Sequence, residues 1–246
     1  MDIKDTQFNT IEPQNLRAQI DERIRAAILR GVFNPGERIV ESVIASQMGV
    51  SRAPVREVLS ALEREGLVVN VPRRGNFVIS FTEKDIDEIY SLRTLLEVGA
   101  LRRAKDRFQA EDFTRLETIA RQLGEAVVRK EDQISIVNLD LSFHEYIYSI
   151  ADHSRMYAIW KTIRAQTQLL ISVTSKTHYD YPSQPMQLHM DLIDAFRSRD
   201  MVTAERRLLG HIQDAQERAL DSLRATGLLD AHSNLTDELQ SEVSVI

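Results

Sequence analysis

Four ionisable side chains occur where a helix would turn them toward its apolar face. Asp140 and His144 lie one helical turn apart among isoleucine and alanine, and His189 and His211 occur on apolar stripes farther along the chain. A single core histidine is usually only hydrogen-bonded, but buried polar groups need partners. One carboxylate and three imidazoles on three apolar stripes therefore indicate a site for a divalent transition metal.

A charged residue also interrupts the apolar stripe of an earlier predicted helix. Arg93 follows Ile86, Ile89 and Tyr90 on that stripe, and Glu97 comes one turn later. Two interpretations are open from the residues alone. Arg93 either forms an internal ion pair with Glu97, or it faces the metal cavity and binds a carboxylate ligand through its planar guanidinium group.

A second group of residues has the chemistry of DNA recognition. Arg52 and Arg56 lie four residues apart near the start of a predicted helix whose other face is apolar, where a recognition helix presents side chains to bases and phosphates. Gly49 suits the preceding turn, Ser51 is expected to cap the helix, and Pro54 is tolerated in its first turn. We assign Ser51 and Pro54 to the DNA-binding surface as well, although a surface helix with two solvated arginines is the alternative.

The next segment favours DNA binding over a solvated surface helix. Residues 67–71 and 77–79 are typical strands, and the turn between them carries Arg73 and Arg74 beside Gly75. A helix-turn-helix followed by a hairpin with a basic tip predicts a winged helix. The wing would reach phosphates or the minor groove while the helix occupies the major groove.

These groups require two domains, and the predicted fold class is mainly α. Residues 11–80 are predicted to form an N-terminal winged helix-turn-helix, and residues 1–10 a flexible N-terminus. The first helix is expected at 16–30 and a short second helix at 41–48. We expect the buried side of the short helix to include Val43, Ile44 and Gln47.

Residues 82–225 are predicted to form a C-terminal all-α helical bundle, because no convincing strand pattern occurs there. Thr82 is expected to cap its first helix, and Tyr181 to Pro185 to lie in a loop. Residues 226–246 are predicted to be an acidic tail. The six helices are expected at about 83–107, 111–130, 132–151, 154–174, 186–199 and 201–223.

Composition excludes several classes of protein. The chain has 246 residues, a net charge of −6 and no cysteine, so it has no disulfide and no thiolate metal site, which fits a cytoplasmic protein. No apolar run approaches the ~20 residues that span a bilayer, so no membrane partner is expected. Residues 12–80 carry ten basic and eight acidic side chains. This small positive excess predicts modest DNA affinity per subunit, and therefore a dimer on two half-sites.

The chain resembles the GntR family of bacterial transcription regulators, in the branch that carries a FadR-like C-terminal ligand-binding (FCD) domain. The resemblance covers about residues 11–223. In the first domain it depends on VSRAPVRE at 50–57, LEREGL at 62–67 and RRG at 73–75. In the second domain it depends on Leu92-Arg93, Glu97, Asp140, Phe143-His144, His189 and Gly210-His211.

The resemblance implies a homodimer on a palindromic operator in double-stranded DNA. It also implies that a metal at Asp140, His144, His189 and His211 binds a small organic acid. Zinc is the first choice of metal, followed by nickel and manganese. DNA contact carries over to Arg38, Arg52, Arg56, Arg73, Arg74 and the backbone of Gly75. Leu188 departs from the acidic residue that many relatives have before the histidine, and six helices suggest the smaller, VanR-like subgroup.

The resulting hypothesis is a transcription factor, usually a repressor, whose operator affinity is controlled by a small carboxylate effector bound near the metal, with Arg93 as the effector-binding residue. It is not expected to be an enzyme. A metal-dependent enzyme remains a rival hypothesis, because three histidines, a carboxylate and an open position could activate water. A sensor of the metal alone, or a metal that only stabilises the bundle, would also fit these residues.

Overall fold

The structure is a computed structural model that describes residues 13–174, 184–227 and 229, with side chains from residue 16 onward. The described residues do not include the predicted flexible N-terminus at 1–10, the Tyr181-Pro182 part of the predicted loop or nearly all of the predicted acidic tail. Within the described residues the fold is mainly α, with one small sheet near the N-terminus, as the sequence predicts.

The N-terminal elements form the predicted helix-turn-helix and wing. Their bounds are α1 Pro13–Leu29, β1 Arg38–Ile39, α2 Glu41–Met48, α3 Arg52–Arg64, β2 Val68–Val71 and β3 Gly75–Val78. The strands are antiparallel in the order β1-β3-β2, so β3 pairs with both neighbours. Helix α3 buries Val55, Val58, Leu59 and Leu62 at helical spacing, and this leaves its opposite side in solvent.

Two local predictions in this region are wrong. Ile44 is buried in α2 as predicted, together with Ala45, but Gln47 is exposed and Val43 is 51% exposed. In a helix of two turns, the neighbouring stripes 43–47 and 44–48 have the same spacing, so periodicity cannot choose between them. Ser51 occupies the N-cap position of α3, but its side chain makes no capping hydrogen bond.

The C-terminal elements form a bundle of six helices within the described residues, as predicted. Thr82 and Asp85 form a reciprocal capping box that starts the first of them. The fifth helix of the bundle begins at Gln184 instead of 186, because Pro185 suits a first helical turn. The predicted loop is therefore shorter at this end. The bounds are α4 Glu83–Ala104, α5 Ala110–Val128, α6 Gln133–Ala151, α7 Ser154–Thr174, α8 Gln184–Arg197 and α9 Met201–Thr226.

The packing of the bundle sets up an internal site. Helix α4 packs against α6 and α9, and α8 packs against α9. The side chains on the inner faces of these helices therefore meet. None of the helices within 13–174 and 184–227 is long and apolar enough to cross a membrane.

The winged-helix domain packs against helix α7 of the bundle. Helix α1 packs against α7, and a Cβ placed on Gly66, just after α3, would overlap the side chain of Gln166. An ion pair of 3.0 Å also joins Arg30, after α1, to Asp132, before α6. The exact domain boundaries remain a prediction.

Candidate metal centre and DNA-binding surface

Three helices bring four potential metal ligands together. Helix α6 supplies Asp140 and His144, α8 supplies His189, and α9 supplies His211. One ligand atom from each residue lies within 4.8 Å of the others. His144 and His189 are buried, while Asp140 and His211 are partly buried beside a cavity. The set therefore has the donors and the proximity that a transition metal requires.

The hydrogen bonds of two histidines leave one nitrogen of each ring without a partner. Nδ1 of His144 lies 2.6 Å from Oε2 of Glu97, and Nδ1 of His189 lies 2.8 Å from the carbonyl oxygen of Pro185. A carbonyl or an ionised carboxylate only accepts, so each Nδ1–H donates, and the neutral form of each ring keeps its lone pair on Nε2. Both Nε2 atoms are buried and have no hydrogen-bond partner. This arrangement fits two metal ligands oriented by neighbouring acceptors.

The distance between Nε2 of His189 and the Asp140 carboxylate does not change that conclusion. It is 3.4 Å, within the range of an ion pair, but it does not satisfy the geometry of a hydrogen bond. Burial lowers the pKa of His189, and lowers the pKa of His211 well below its usual range. Both rings are therefore neutral at pH 7, the form in which imidazole binds a metal.

Arg93 forms the internal ion pair and also retains an unpaired nitrogen. Its Nε lies 2.5 Å from Oε1 of Glu97, and both side chains are 1% exposed. Burial acts to raise the pKa of Glu97, but the charge of Arg93 and the hydrogen bonds from Arg93 and His144 outweigh it and lower the pKa to about 2. Nη2 of Arg93 is buried without a hydrogen-bond partner, and Arg93 lines the cavity beside the candidate ligands. The first interpretation of Arg93 is thus present in the structure, and ligand binding by Nη2 stays a prediction.

The cavity next to these residues has a volume of about 100 Å³. That is room for several water molecules and hence for a small organic molecule. Its wall combines apolar groups with charged groups. The charged and polar lining includes Tyr90, Arg93, Asp140, His189, His211 and Arg218.

The start of α3 presents the predicted recognition residues to solvent. Arg52 and Arg56 are both exposed, with Pro54 between them in the first turn. Arg56 forms an ion pair of 2.9 Å with Glu41 of α2. An operator phosphate or base would therefore have to compete with Glu41 for this guanidinium group.

The wing brings the other predicted contacts to one hairpin. Arg73 and Arg74 are exposed at its tip, Arg73 with a φ of 62°, and the Arg74 guanidinium group lies 5.9 Å from the centre of the Phe77 ring. Gly75 has a φ of 103°, which favours glycine. Because β1 pairs with β3, the side chain of Arg38 packs against Gly75. DNA contact by these residues stays a prediction.

Comparison with known families follows this division of the fold. The profile described as "Bacterial regulatory proteins, gntR family" matches residues 16–78, and the profile of the FCD domain matches residues 88–214, more than half of the chain. The chain belongs to the GntR family and carries an FCD domain. This GntR regulator is therefore a DNA-binding transcription regulator and not an enzyme.

Named relatives cover most of the GntR regulator. It is 29% identical to the gluconate operon transcriptional repressor of Bacillus subtilis over 202 residues, which cover 80% of this chain and 82% of the relative. It is 27% identical to the transcriptional repressor RspR of Escherichia coli over 213 residues, which cover 87% and 92%. A GntR regulator structure from Rhodococcus sp. RHA1 matches with a TM-score of 0.70 and 23% identity, covering 85% and 99% of the two chains. That structural likeness supports the fold.

Sequence reasoning about this GntR regulator misses two residues of the candidate site. It identifies Glu97 as a partner of Arg93 but not of His144, because that contact depends on how α4 packs against α6. Arg218 is absent from the predicted site altogether. Its spacing of seven residues from His211, with Ala215 between them, could have placed it on the same face of α9.

FCD domains often bind a metal, and the cluster of Asp140, His144, His189 and His211 could hold one.

Proposed function

We propose that this GntR regulator is a repressor whose operator affinity is controlled by a small organic acid bound beside a metal ion. The observation that supports this proposal best is the pair of buried Nε2 atoms of His144 and His189, which have no partner and lie among two further donor side chains. Leaving such atoms unsatisfied costs stability. A bound metal would satisfy them.

Asp140, His144, His189 and His211 would hold the ion. The bound ion would supply positive charge and an open position for an acidic ligand. Glu97 and the Pro185 carbonyl would orient two of the histidines, as acceptors behind metal-binding histidines commonly do. Zinc is our first choice, because three imidazoles and a carboxylate are ligands that zinc accepts.

Arg93 would bind the carboxylate of the effector. Its Nε is used by Glu97, while Nη2 is unpaired in a buried position at the cavity. A guanidinium nitrogen that cannot be deprotonated and has no acceptor is well suited to bind a carboxylate oxygen. The effector would therefore contact Arg93 and the ion together.

The DNA-binding contacts would come from α3 and the wing. Arg52 and Arg56 would enter the major groove, with Ser51 and Pro54 near the backbone, while Arg38, Arg73, Arg74 and Gly75 would contact phosphates or the minor groove. The small positive excess of this domain supports a homodimer that reads two half-sites of a palindromic operator. An effector would change operator affinity only by binding the two states of this dimer unequally.

The first experiment tests the metal centre. The wild type and the variants Asp140→Asn, His144→Ala and His189→Ala would be purified without metal and then loaded with zinc. We expect about one equivalent in the wild type and a large loss in each variant, as a site with three remaining donors binds less tightly. The control is His153→Asn, which lies before α7, outside the cluster, and keeps an acceptor near the amide of Met156. Equal zinc retention by all five proteins would contradict the metal centre.

The second experiment tests control of the operator. The metal-loaded protein would be titrated onto a labelled operator with and without a panel of small organic acids. We expect an acid to release the operator from the wild type but not from Arg93→Gln. Release by metal alone, unaffected by any acid, would instead support a metal-only sensor. An acid response that survives removal of the metal would contradict the proposed role of the ion.

A further inference from the structure

The cavity contains a second arginine for which the proposed function has no role. Arg218 lies on α9 two turns after His211 and lines the same cavity. It is partly buried and makes no hydrogen bond or ion pair with any residue in the described ranges. By contrast Arg224, farther along α9, is paired with Glu83. A partly buried cation without a partner is costly unless a ligand compensates it.

The charges around the cavity do not balance once an ion is bound. Arg93, Arg218 and a divalent ion supply four positive charges, whereas Glu97 and Asp140 supply two negative charges. The coordinated histidines are neutral. Two positive charges are left in a partly desolvated site, and a monocarboxylate would neutralise only one of them.

The two positive centres are separated along α9. The Cα atoms of His211 and Arg218 are about 10 Å apart, at seven residues and about 1.5 Å per residue. The arginine side chain leans back toward the N-terminus of its helix, which shortens this separation. Apolar groups of Ile171, Leu188 and Ala215 contribute to the same wall. Such a site suits a short carbon chain with an anionic group at each end better than a single compact anion.

We propose that the effector of this regulator is a short dicarboxylate, with one carboxylate at the ion and Arg93 and the other at Arg218. This inference rests on the proposed function, since it assumes an acid in the metal-containing cavity. It goes beyond that function by naming the class of acid and the residue that selects it. Arg218 is then the residue that distinguishes diacids from monoacids.

The test compares acids of equal length on the zinc-loaded full chain by calorimetry. The probes are succinate and glutarate, the monoacids butyrate and valerate, and glycerol 3-phosphate as a compact dianion. The variant is Arg218→Gln, which keeps most of the side chain without its charge. The control is Arg207→Gln, which removes an exposed charge from the same helix outside the cavity.

We expect at least one diacid to bind about tenfold or more tightly than its monoacid, a difference of about 1.4 kcal/mol. Arg218→Gln should reduce that ratio to about twofold by weakening diacid binding more than monoacid binding, while Arg207→Gln should keep the wild-type ratio. Equal binding of diacids and monoacids by the wild type, or a diacid preference that survives in Arg218→Gln, would overturn the inference and leave the proposed function intact. Tighter binding of glycerol 3-phosphate than of either diacid would overturn the dicarboxylate class. Absence of binding by every probe would count against both the inference and the acid-sensing function.

Discussion

The buried ion pair of Arg93 and Glu97 allows a quantitative test of how the candidate site is held together. Both side chains are 1% exposed, and Glu97 also accepts from Nδ1 of His144. The change Glu97→Gln keeps the shape of the side chain but removes its charge. Removing one partner of a buried pair leaves the other as an uncompensated charge, at a cost of about 3–5 kcal/mol. For a chain of this size, we expect the melting temperature to fall by about 6–20 °C.

The matched control is Glu125→Gln. Glu125 and Arg129 also lie four residues apart on one helix and form an ion pair of 3.1 Å, but their side chains are 60% and 66% exposed. Exposed pairs of this kind contribute at most about 1 kcal/mol. Urea and thermal unfolding of both variants, followed by circular dichroism with a chelator present, would measure the difference without any contribution from bound metal.

A second measurement separates stability from the role of Glu97 in orienting His144. Glutamine has one acceptor oxygen where the carboxylate has two, so Arg93 and His144 would compete for it. Mutating the acceptor behind a metal-binding histidine typically weakens metal affinity about 10–100-fold, and zinc affinity should therefore fall in Glu97→Gln and not in Glu125→Gln. If the two variants lose the same stability within about 1 kcal/mol, the buried charge of Arg93 must be compensated elsewhere. Such a result would contradict the predicted cost of leaving Arg93 buried without its partner.

Three further predictions concern local contacts. Asp200→Ala should lower the free energy of unfolding by about 1 kcal/mol in urea titrations, because the Asp200 side chain accepts from two amides at the start of α9; no change would rule out a capping contribution. Gly66→Ala should lower the free energy of unfolding by about 1 kcal/mol or more, since Gly66 has a φ of 71° and faces Gln166. Adding Gln166→Ala should recover part of this loss. No recovery would mean that backbone strain alone is responsible. Arg56→Ala should weaken operator binding and reduce its salt dependence by about one ion per subunit. Glu41→Gln should strengthen operator binding, because it frees the Arg56 guanidinium group from its ion pair. Opposite signs in a gel-shift titration would contradict the assignment of Arg56.

The sequence is most informative where local spacing alone determines the structure. The apolar stripe of α3, the turn at Gly49 and the basic hairpin predict a winged helix without knowledge of any long-range contact. The reciprocal contacts of Thr82 and Asp85 likewise depend on residues three apart. Spacing fails in α2, where two neighbouring stripes fit equally well and the predicted burial of Val43 is wrong.

The candidate site is less predictable because it depends on packing between helices. Stripe positions indicate that Asp140, His144, His189 and His211 face inward, and this is sufficient to suggest that they meet. The link from Glu97 to His144 depends on the relative placement of α4 and α6, which no local pattern gives. Arg218 has a detectable spacing, but only the cavity shows that its charge lies beside the same site.

Helix α7 is a common boundary of the cavity beside the candidate metal centre and the DNA-binding domain. Its C-terminal end contributes Ile171 and Thr174 to the cavity wall. Gln166, near its middle, faces the turn at Gly66, and the helix also packs against α1. A substitution on this helix is therefore expected to be pleiotropic, altering both ligand affinity and DNA affinity. Under the proposed function, a genetic selection for variants that bind the operator but no longer respond to an acid should find mutations on α7 as well as among the cavity residues.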